Sequence, residues 1–236
     1  MSATATPSLP REQTAAARCA PTGYGASGLT AADLFQLQRD LGGVPLERII
    51  VHPLPGTATE DDVVRLDNHF DILAELVHGT LVRKTMGYRE GLIEVLITTI
   101  LTNYVRPKKL GVVAGSAGML KMATGNVRIP DVSFVRREDL PNGQVPSEPV
   151  PLLRLSLAVE VLSQANTDDE MATKINEYFE SGSELIWLVN PADRTVRIYD
   201  APDAPNRFRQ ITATDTLDGG NVLPGFEVKV AELFDV

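Results

Sequence analysis

The stretch Leu153-Arg-Leu-Ser-Leu-Ala-Val-Glu-Val-Leu-Ser163 carries the strongest β-strand signal in the sequence. Apolar side chains recur at every second position, which predicts one core-facing side made of Leu155, Leu157, Val159 and Val161. The other side carries small residues and one carboxylate, Glu160. A carboxylate in the middle of such a strand is costly to bury unless a cation or a metal ion pairs with it. Glu160 therefore predicts a cleft or a buried ionic partner on that side of the sheet.

A second carboxylate, Asp131, stands at the start of another predicted strand that runs to Arg136. Asp131 falls on the polar side of this strand, opposite the side that carries Val132 and Phe134. Two carboxylates on neighbouring strands can hold a hard divalent cation, which prefers oxygen ligands. The plainer alternative is that Asp131 caps a turn and that Glu160 pairs with a surface arginine.

A helix is predicted over residues 168–181, directly after the strand that carries Glu160. Thr167 and Glu170 have the spacing of a capping box at its start. Apolar residues at helical spacing define its buried side: Met171, Ile175 and Tyr178. Lys174 flanks that side, so its ammonium group is expected to reach the carboxylates. The alternative is an exposed lysine that pairs with Glu170 one turn earlier.

The order of the remaining elements predicts an α/β or α+β fold. A hairpin is expected from two strand-like runs at 72–77 and 80–84, followed by a helix from Tyr88 to Val105 that Pro107 ends. This helix is apolar around most of its circumference, so we expect it to be buried on several sides. Further short strands complete one mixed central sheet flanked by helices, with the hairpin on its N-terminal side.

The chain divides into three predicted segments. Residues 1–30 are rich in Ala, Thr, Ser, Pro and Gly, and we expect a disordered extension that includes the single cysteine, Cys19. Residues 31–58 hold short helices, and residues 59–236 form the main domain. The hydrophobic content of 43% is that of a globular protein, and no apolar run approaches the roughly 20 residues of a membrane helix. One cysteine and no export signal favour a cytoplasmic location.

The formal net charge of −9 is unevenly distributed along the sequence. Residues 81–130 carry eight Lys or Arg against two Glu, whereas residues 131–236 carry nine against nineteen acidic residues. The basic block permits nucleic-acid binding, although the total charge opposes it and basic side chains that only solvate a helix end and its loop are the simpler explanation. The candidate phosphate contacts are Arg106, Lys108, Lys109, Lys121 and Arg128.

Four segments in this order resemble the Uma-two family of bacterial proteins. They are Arg128-Ile-Pro-Asp-Val-Ser-Phe-Val135, Leu157-Ala-Val-Glu-Val-Leu-Ser163, Lys174-x-x-x-Tyr178 and Leu185-Ile-Trp-Leu-Val-Asn-Pro191. The similarity extends from about Thr59 to the C-terminus. The family is placed in the PD-(D/E)xK restriction-endonuclease-like superfamily. The resemblance therefore implies a mixed sheet between helices and a divalent-metal nuclease site.

The resemblance also implies roles for individual residues. Asp131 and Glu160 correspond to the two acids of the family, which hold Mg²⁺ or Mn²⁺ together with the carbonyl of Val161. Leu162 stands where the superfamily usually has its lysine, and Lys174 on the following helix matches the position to which this family moves it. These side chains would hydrolyse a phosphodiester bond in DNA.

The sequence leaves two questions open, the role of Glu90 and whether the protein is an enzyme. Glu90 resembles an acidic helix residue that some members of the superfamily use in catalysis, but a carboxylate in the first turn also stabilises a helix through its dipole. The alternative to an endonuclease is a catalytically silent nuclease-like fold that binds nucleic acid or protein. Either protein could work alone or as a homodimer.

Overall fold

The structure, a computed structural model, describes residues 29–236. The predicted extension at residues 1–30 lies outside the described residues except for its last two positions, and Cys19 lies outside them as well. In the described part of the chain, no helix is both long and apolar enough to cross a membrane.

Four α-helices and thirteen strands make up this part of the chain. The helices are α1 (Ala31–Asp40), α2 (Glu60–Phe70), α3 (Tyr88–Lys108) and α4 (Asp168–Glu180). The first seven strands are β1 (Ile49–Ile50), β2 (Ala74–Val77), β3 (Thr80–Arg83), β4 (Gly111–Ala114), β5 (Leu120–Lys121), β6 (Val127–Arg128) and β7 (Val132–Arg136). The others are β8 (Leu157–Val161), β9 (Leu185–Asn190), β10 (Thr195–Tyr199), β11 (Arg209–Thr212), β12 (Thr216–Gly219) and β13 (Leu223–Lys229).

A six-stranded mixed sheet forms the centre of the molecule, with the strand order β11-β10-β9-β8-β7-β4. β8 and β9 are parallel, because the chain returns through α4 between them, and the other neighbours are antiparallel. Helix α3 packs its apolar side on one face of the sheet, and α4 packs on the other face. The predicted mixed central sheet between helices is confirmed.

The predicted hairpin is present as β2 and β3, but it belongs to a second sheet with the order β1-β3-β2-β6-β5. This five-stranded sheet has its own apolar core, which includes Val63, Leu76, Leu81, Val127 and Ile129. Three residues, 129–131, connect its strand β6 to β7 of the central sheet. The connection brings the two sheets together at the start of β7.

Helix α3 is longer than predicted, since it continues through Pro107 to Lys108. Pro107 lies in the last turn, where the missing N–H removes a single hydrogen bond from the end of the helix. Lys109 caps the C-terminal end of the helix, since its φ of 55° is left-handed and its N–H donates to the Arg106 carbonyl.

The burial of α3 is also narrower than predicted. Ile93, Ile97 and Leu101 are buried against the central sheet, whereas Tyr88 and Val95 on the outer side are exposed. The central sheet covers one side of a helix, so an apolar composition all around α3 does not by itself bury every side.

The strand predicted at 153–163 is confirmed at its centre, where β8 forms. Leu157, Val159 and Val161 face the core on the α3 side, as the alternation predicts. Leu155 instead lies in the core on the α4 side. It precedes the regular strand, so the alternation does not extend to it.

Candidate active site

Asp131 and Glu160 face each other across the strands β7 and β8. The antiparallel register pairs Val132 with Val159, which puts Asp131 opposite Glu160 on the α4 side of the sheet. The N–H of Val161 donates to Asp131 Oδ2 at 2.6 Å. Both carboxylates are nearly buried, with 4% and 6% of their residue surface exposed. The structure thus brings together the two acids that the strand patterns single out.

Helix α4 brings two polar side chains to Glu160. Lys174 Nζ lies 3.3 Å from Glu160 Oε1, and the Tyr178 hydroxyl donates to the same oxygen at 2.5 Å. Burial raises the pKa of Tyr178 well above its usual value, and the nearby Glu160 charge adds to the rise, so the hydroxyl keeps its proton. Lys174 is therefore buried beside the carboxylates and is not the exposed partner of Glu170. Its catalytic role stays a prediction.

The five-stranded sheet adds charged residues to the same cluster. Glu75 of β2 accepts from Lys174 Nζ at 2.9 Å. Lys84, which follows β3, lies 2.7 Å from Asp131 Oδ1 and also donates to the Ile129 carbonyl. Neither Glu75 nor Lys84 belongs to the central sheet. Part of the positive charge that balances Asp131 and Glu160 is therefore supplied by Lys84, from the five-stranded sheet.

The prediction that Arg128 contacts phosphate is wrong. Its side chain is only 3% exposed and bridges two carboxylates. Its NH1 group lies 2.9 Å from Glu75 Oε2, and its Nε lies 2.6 Å from Glu177 Oε2. Asn126 donates to the other oxygen of Glu177 at 2.8 Å. Because these carboxylates occupy its guanidinium and it does not line the pocket of Asp131 and Glu160, Arg128 is not available to contact a phosphate there.

The buried cluster contains one more carboxylate than it has cations. Its seven members are Glu75, Asp131, Glu160, Glu177, Lys84, Arg128 and Lys174. Burial raises the pKa of Glu160 and the Asp131 charge adds to the rise, although Lys174 opposes it. Burial also disfavours the charge on Glu75, but Lys174 and Arg128 outweigh it and hold the pKa of Glu75 well below its usual value. Of these two glutamates, Glu160 is therefore the one whose negative charge is disfavoured.

Lys174 keeps its positive charge in this environment. Burial disfavours the ammonium form, but the charges of Glu160 and Glu75 outweigh burial and raise the pKa of Lys174. The pocket therefore contains a fixed, buried cation in contact with two carboxylates.

The N-terminal part of the described chain fixes the start of α4. Arg48 pairs with both oxygens of Glu170 at 2.9 and 2.8 Å and donates to the Ala165 carbonyl at 3.0 Å. Thr167 caps the helix by accepting from the N–H of Glu170 at 3.1 Å. The reciprocal half of the predicted capping box does not form, because the Glu170 carboxylate faces Arg48. Since Glu170 lies one turn before Lys174, Arg48 positions the helix that carries the lysine.

Glu90 in the first turn of α3 lines the same small cavity as Asp131, Glu160 and Lys174. The cavity has a volume of about 10 Å³, which is room for about one water molecule. Among residues 29–236, no three His, Cys, Asp or Glu side chains are grouped so that they could hold a metal ion. A cation in this cavity would therefore depend on the two facing carboxylates and on nearby main-chain oxygens, because the space holds about one water-sized particle.

Three of the other four candidate phosphate contacts lie away from the carboxylates. These three occupy the C-terminal end of α3: Arg106, Lys108 and Lys109. At 1.5 Å per residue, this end is about 27 Å along the helix from Glu90. Lys121 is half-exposed and pairs with Glu60 at 2.9 Å. The expectation that these cations bind phosphate near the acidic site is therefore not supported, because α3 carries three of them to the opposite end.

The sequence patterns missed four charged residues of this region, namely Arg48, Glu75, Lys84 and Glu177. Glu75 is the carboxylate of an otherwise apolar run, the same signal that singles out Glu160. Lys84 only ends a predicted strand. No local pattern marks Arg48, whose partner Glu170 is 122 positions away.

Comparison with known proteins bears on the fold and the family. The sequence profile of the family Uma2, described as "Putative restriction endonuclease", matches residues 61–231. The structure is similar to the crystal structure of a protein described as "a putative nuclease belonging to DUF820 from Anabaena variabilis", with a TM-score of 0.60 and 17% identity. That similarity covers 69% of this chain and 89% of the other. It confirms the restriction-endonuclease-like fold. No curated protein matches this sequence.

Proposed function

The chain belongs to the Uma2 family of restriction-endonuclease-like proteins, and from this premise we propose that it hydrolyses phosphodiester bonds in DNA with a divalent metal ion. The observation that carries the proposal is the convergence of Asp131, Glu160 and Lys174 in one buried pocket. Metal-assisted hydrolysis of a phosphodiester needs acids that hold the ion and a positive group that faces the phosphate. The three side chains supply both.

The residues of the pocket fit Mg²⁺ or Mn²⁺. Asp131 and Glu160 offer hard oxygen donors on facing strands, and the surrounding cluster has a surplus of negative charge. In an extended strand the N–H and C=O of one residue point to the same side, so the Val161 carbonyl is expected to face Asp131 too. We assign the ion to these three groups, with Glu90 acting through water. When bound, the ion would lower the pKa of a bound water and withdraw negative charge from the phosphate oxygens.

Lys174 is the chain's own positive group at the reacting phosphate. Its ammonium is held by Glu75 and Glu160, so its charge is already in place when negative charge develops on the phosphate oxygens. Tyr178 keeps Glu160 in position through its hydroxyl. Lys84 and the N–H of Val161 do the same for Asp131.

A cleavage assay on supercoiled, linear and single-stranded DNA with Mg²⁺ or Mn²⁺ tests this proposal. Wild-type protein is expected to cut, and Glu160→Gln or Lys174→Met is expected to lose at least about 100-fold in rate, because each removes a group that stabilises the transition state. Glu180→Gln removes an exposed carboxylate from the same helix and should cut like wild type. Undiminished cleavage by correctly folded Glu160→Gln would refute the site assignment.

The second candidate function is a silent nuclease-like fold that binds nucleic acid or protein. It is favoured by the cation partner that each facing acid already has, since Lys84 lies 2.7 Å from Asp131 and Lys174 lies 3.3 Å from Glu160. Titration with Mn²⁺ separates the two candidates. A metal-binding site at 100-fold excess over Kd stabilises the protein by about 2.7 kcal/mol, and Asp131→Asn should remove that gain. Wild-type protein without this gain and without cleavage would be the silent fold.

A further inference from the structure

An open cleft of about 770 Å³ lies at the end of the central sheet away from the carboxylates. It is lined by the residues after α3, by the end of β7 and the loop that follows, and by the turn before β13. Strand β7 separates the cleft from the pocket, since Asp131 and Arg136 are about 17 Å apart at 3.3 Å per residue. The cleft is therefore distinct from the candidate active site.

The walls of this cleft are held in place by hydrogen bonds. On one side, the Tyr104 hydroxyl donates to the Pro224 carbonyl at 2.5 Å. On the other side, Arg136 donates to the Asn221 carbonyl at 3.3 Å and pairs with Glu184 at 2.5 Å. Because these contacts tie α3 to the start of β13 and β7 to the turn before β13, the cleft is formed before any ligand arrives.

The lining combines cations, amides and apolar surface. Lys109 and Arg137 are exposed at the rim, and in the described part of the chain neither forms an ion pair, although Glu138 is also part of the lining. Asn142 and Asn221 add side-chain amides, and the apolar surface comes from Leu110, Leu140, Val222 and Pro224. The lining carries three cations, Lys109, Arg136 and Arg137, against one acid, Glu138, so in a chain of net charge −9 the cleft is locally positive and suits an anion.

We propose that this cleft binds a nucleoside phosphate, either free or as one unit of a nucleic-acid strand. Its volume lies within the range of about 300–1,000 Å³ that small-molecule sites occupy. The apolar surface suits a base, the amides of Asn142 and Asn221 can donate to and accept from its edge, and Lys109 and Arg137 suit the phosphate. The binding is independent of cleavage, because none of these residues belongs to the carboxylate cluster.

Isothermal titration calorimetry in EDTA tests the proposal, since binding at the cleft needs no divalent metal. The probes are thymidine 5′-monophosphate and a short oligothymidylate, each titrated into wild-type protein. Saturable binding of the mononucleotide is expected. A much tighter oligothymidylate complex would identify a nucleic-acid strand as the source of the phosphate, and equal affinities would identify a free nucleotide. Absence of saturable binding by both probes would overturn the proposal.

Variants of the lining locate the bound nucleotide. The double substitution Lys109→Glu with Arg137→Glu should weaken binding at least about tenfold, because each cation is expected to contact the phosphate. Asn221→Trp fills the cleft without changing its charge and should weaken binding as much. The double substitution Lys229→Glu with Arg207→Glu makes the same charge change at exposed positions elsewhere and is the matched control.

Three results would contradict this location. Equal weakening by Lys229→Glu with Arg207→Glu would mean that the nucleotide responds only to overall charge. Undiminished binding by Asn221→Trp would place it outside the cleft. Loss of nucleotide binding in Glu160→Gln would place the nucleotide at the carboxylate pocket. Binding that is retained in Glu160→Gln supports the cleft, even if the protein does not cleave DNA. Circular dichroism of each variant confirms that it is folded.

Discussion

The central sheet and the five-stranded sheet contribute different parts of one buried charge cluster. The central sheet contributes Asp131 and Glu160, which face each other and repel as carboxylates. The five-stranded sheet contributes two cations, Lys84 and Arg128, and one acid, Glu75. The acids of the central sheet therefore receive part of their counter-charge from the second sheet and part from Lys174 of α4. The candidate site is a property of the contact between the sheets and not of either sheet alone.

The two sheets also differ in how their acids ionise, although the acids are about equally buried. Glu75 lies between Lys174 and Arg128, and these charges hold its pKa low despite burial. Glu160 also contacts Lys174, but burial and the facing Asp131 raise its pKa. Burial alone therefore does not set the charge state. The nearest charges decide it, and they come from both sheets.

The largest effect is expected from neutralising the acid of the five-stranded sheet. Glu75→Gln removes the charge that Lys174 and Arg128 share, and leaving buried cations short of a partner costs about 3–5 kcal/mol of unfolding free energy. Glu160→Gln should cost less than about 1 kcal/mol or stabilise the protein, because its raised pKa means that the charged form is disfavoured in the folded state. Urea unfolding at pH 7 measures both. Equal losses of unfolding free energy in Glu75→Gln and Glu160→Gln would contradict the proposed difference between the sheets.

An intermediate effect is expected for the ion pair between Arg48, which directly precedes β1, and Glu170 of helix α4. A double-mutant cycle with Arg48→Met and Glu170→Gln should give a coupling energy of about 2 kcal/mol, because the pair is buried and bidentate. The exposed pair Arg209 and Asp218 has a similar separation of 2.7 Å and is the control. It should give less than about 0.5 kcal/mol. A weak coupling for the buried pair would show that α4 is positioned by packing alone.

The smallest effect is expected at the exposed end of the central sheet, where Arg136 and Arg154 pair with Glu184. The hydrogen bond from Arg136 lowers the pKa of Glu184 below 4.5, its usual value. The contribution of ionised Glu184 to the unfolding free energy is therefore complete above pH 4.5 and is lost as the pH falls through the folded-state pKa. Because the pair is partly exposed, we expect less than about 1 kcal/mol.

The measurement for this pair is the difference in unfolding free energy between wild type and Glu184→Gln at several pH values. The difference should be constant near neutral pH and shrink in acid. A difference that grows as the pH falls would contradict the assigned direction of the pKa shift.

Much of the central sheet was predictable because its signals are local. The alternation around Glu160 predicts a strand, and the spacing of Met171, Ile175 and Tyr178 predicts the helix side on which Lys174 approaches it. These periodicities depend on backbone geometry within a few residues. The prediction for Arg128 failed because charge density along a sequence does not reveal which side of a strand is enclosed by another sheet.

The sequence by itself determined the strands β7 and β8, the helix α4, the acids that face each other and the lysine that reaches them. Only the tertiary structure decided that Lys84, Glu75 and Arg48 complete the region, and that the basic end of α3 lies far from it. The reason is physical. Secondary structure follows from repeats of two or about 3.6 residues, whereas a buried charge is balanced by whichever opposite charge lies within a few ångströms, however distant along the chain.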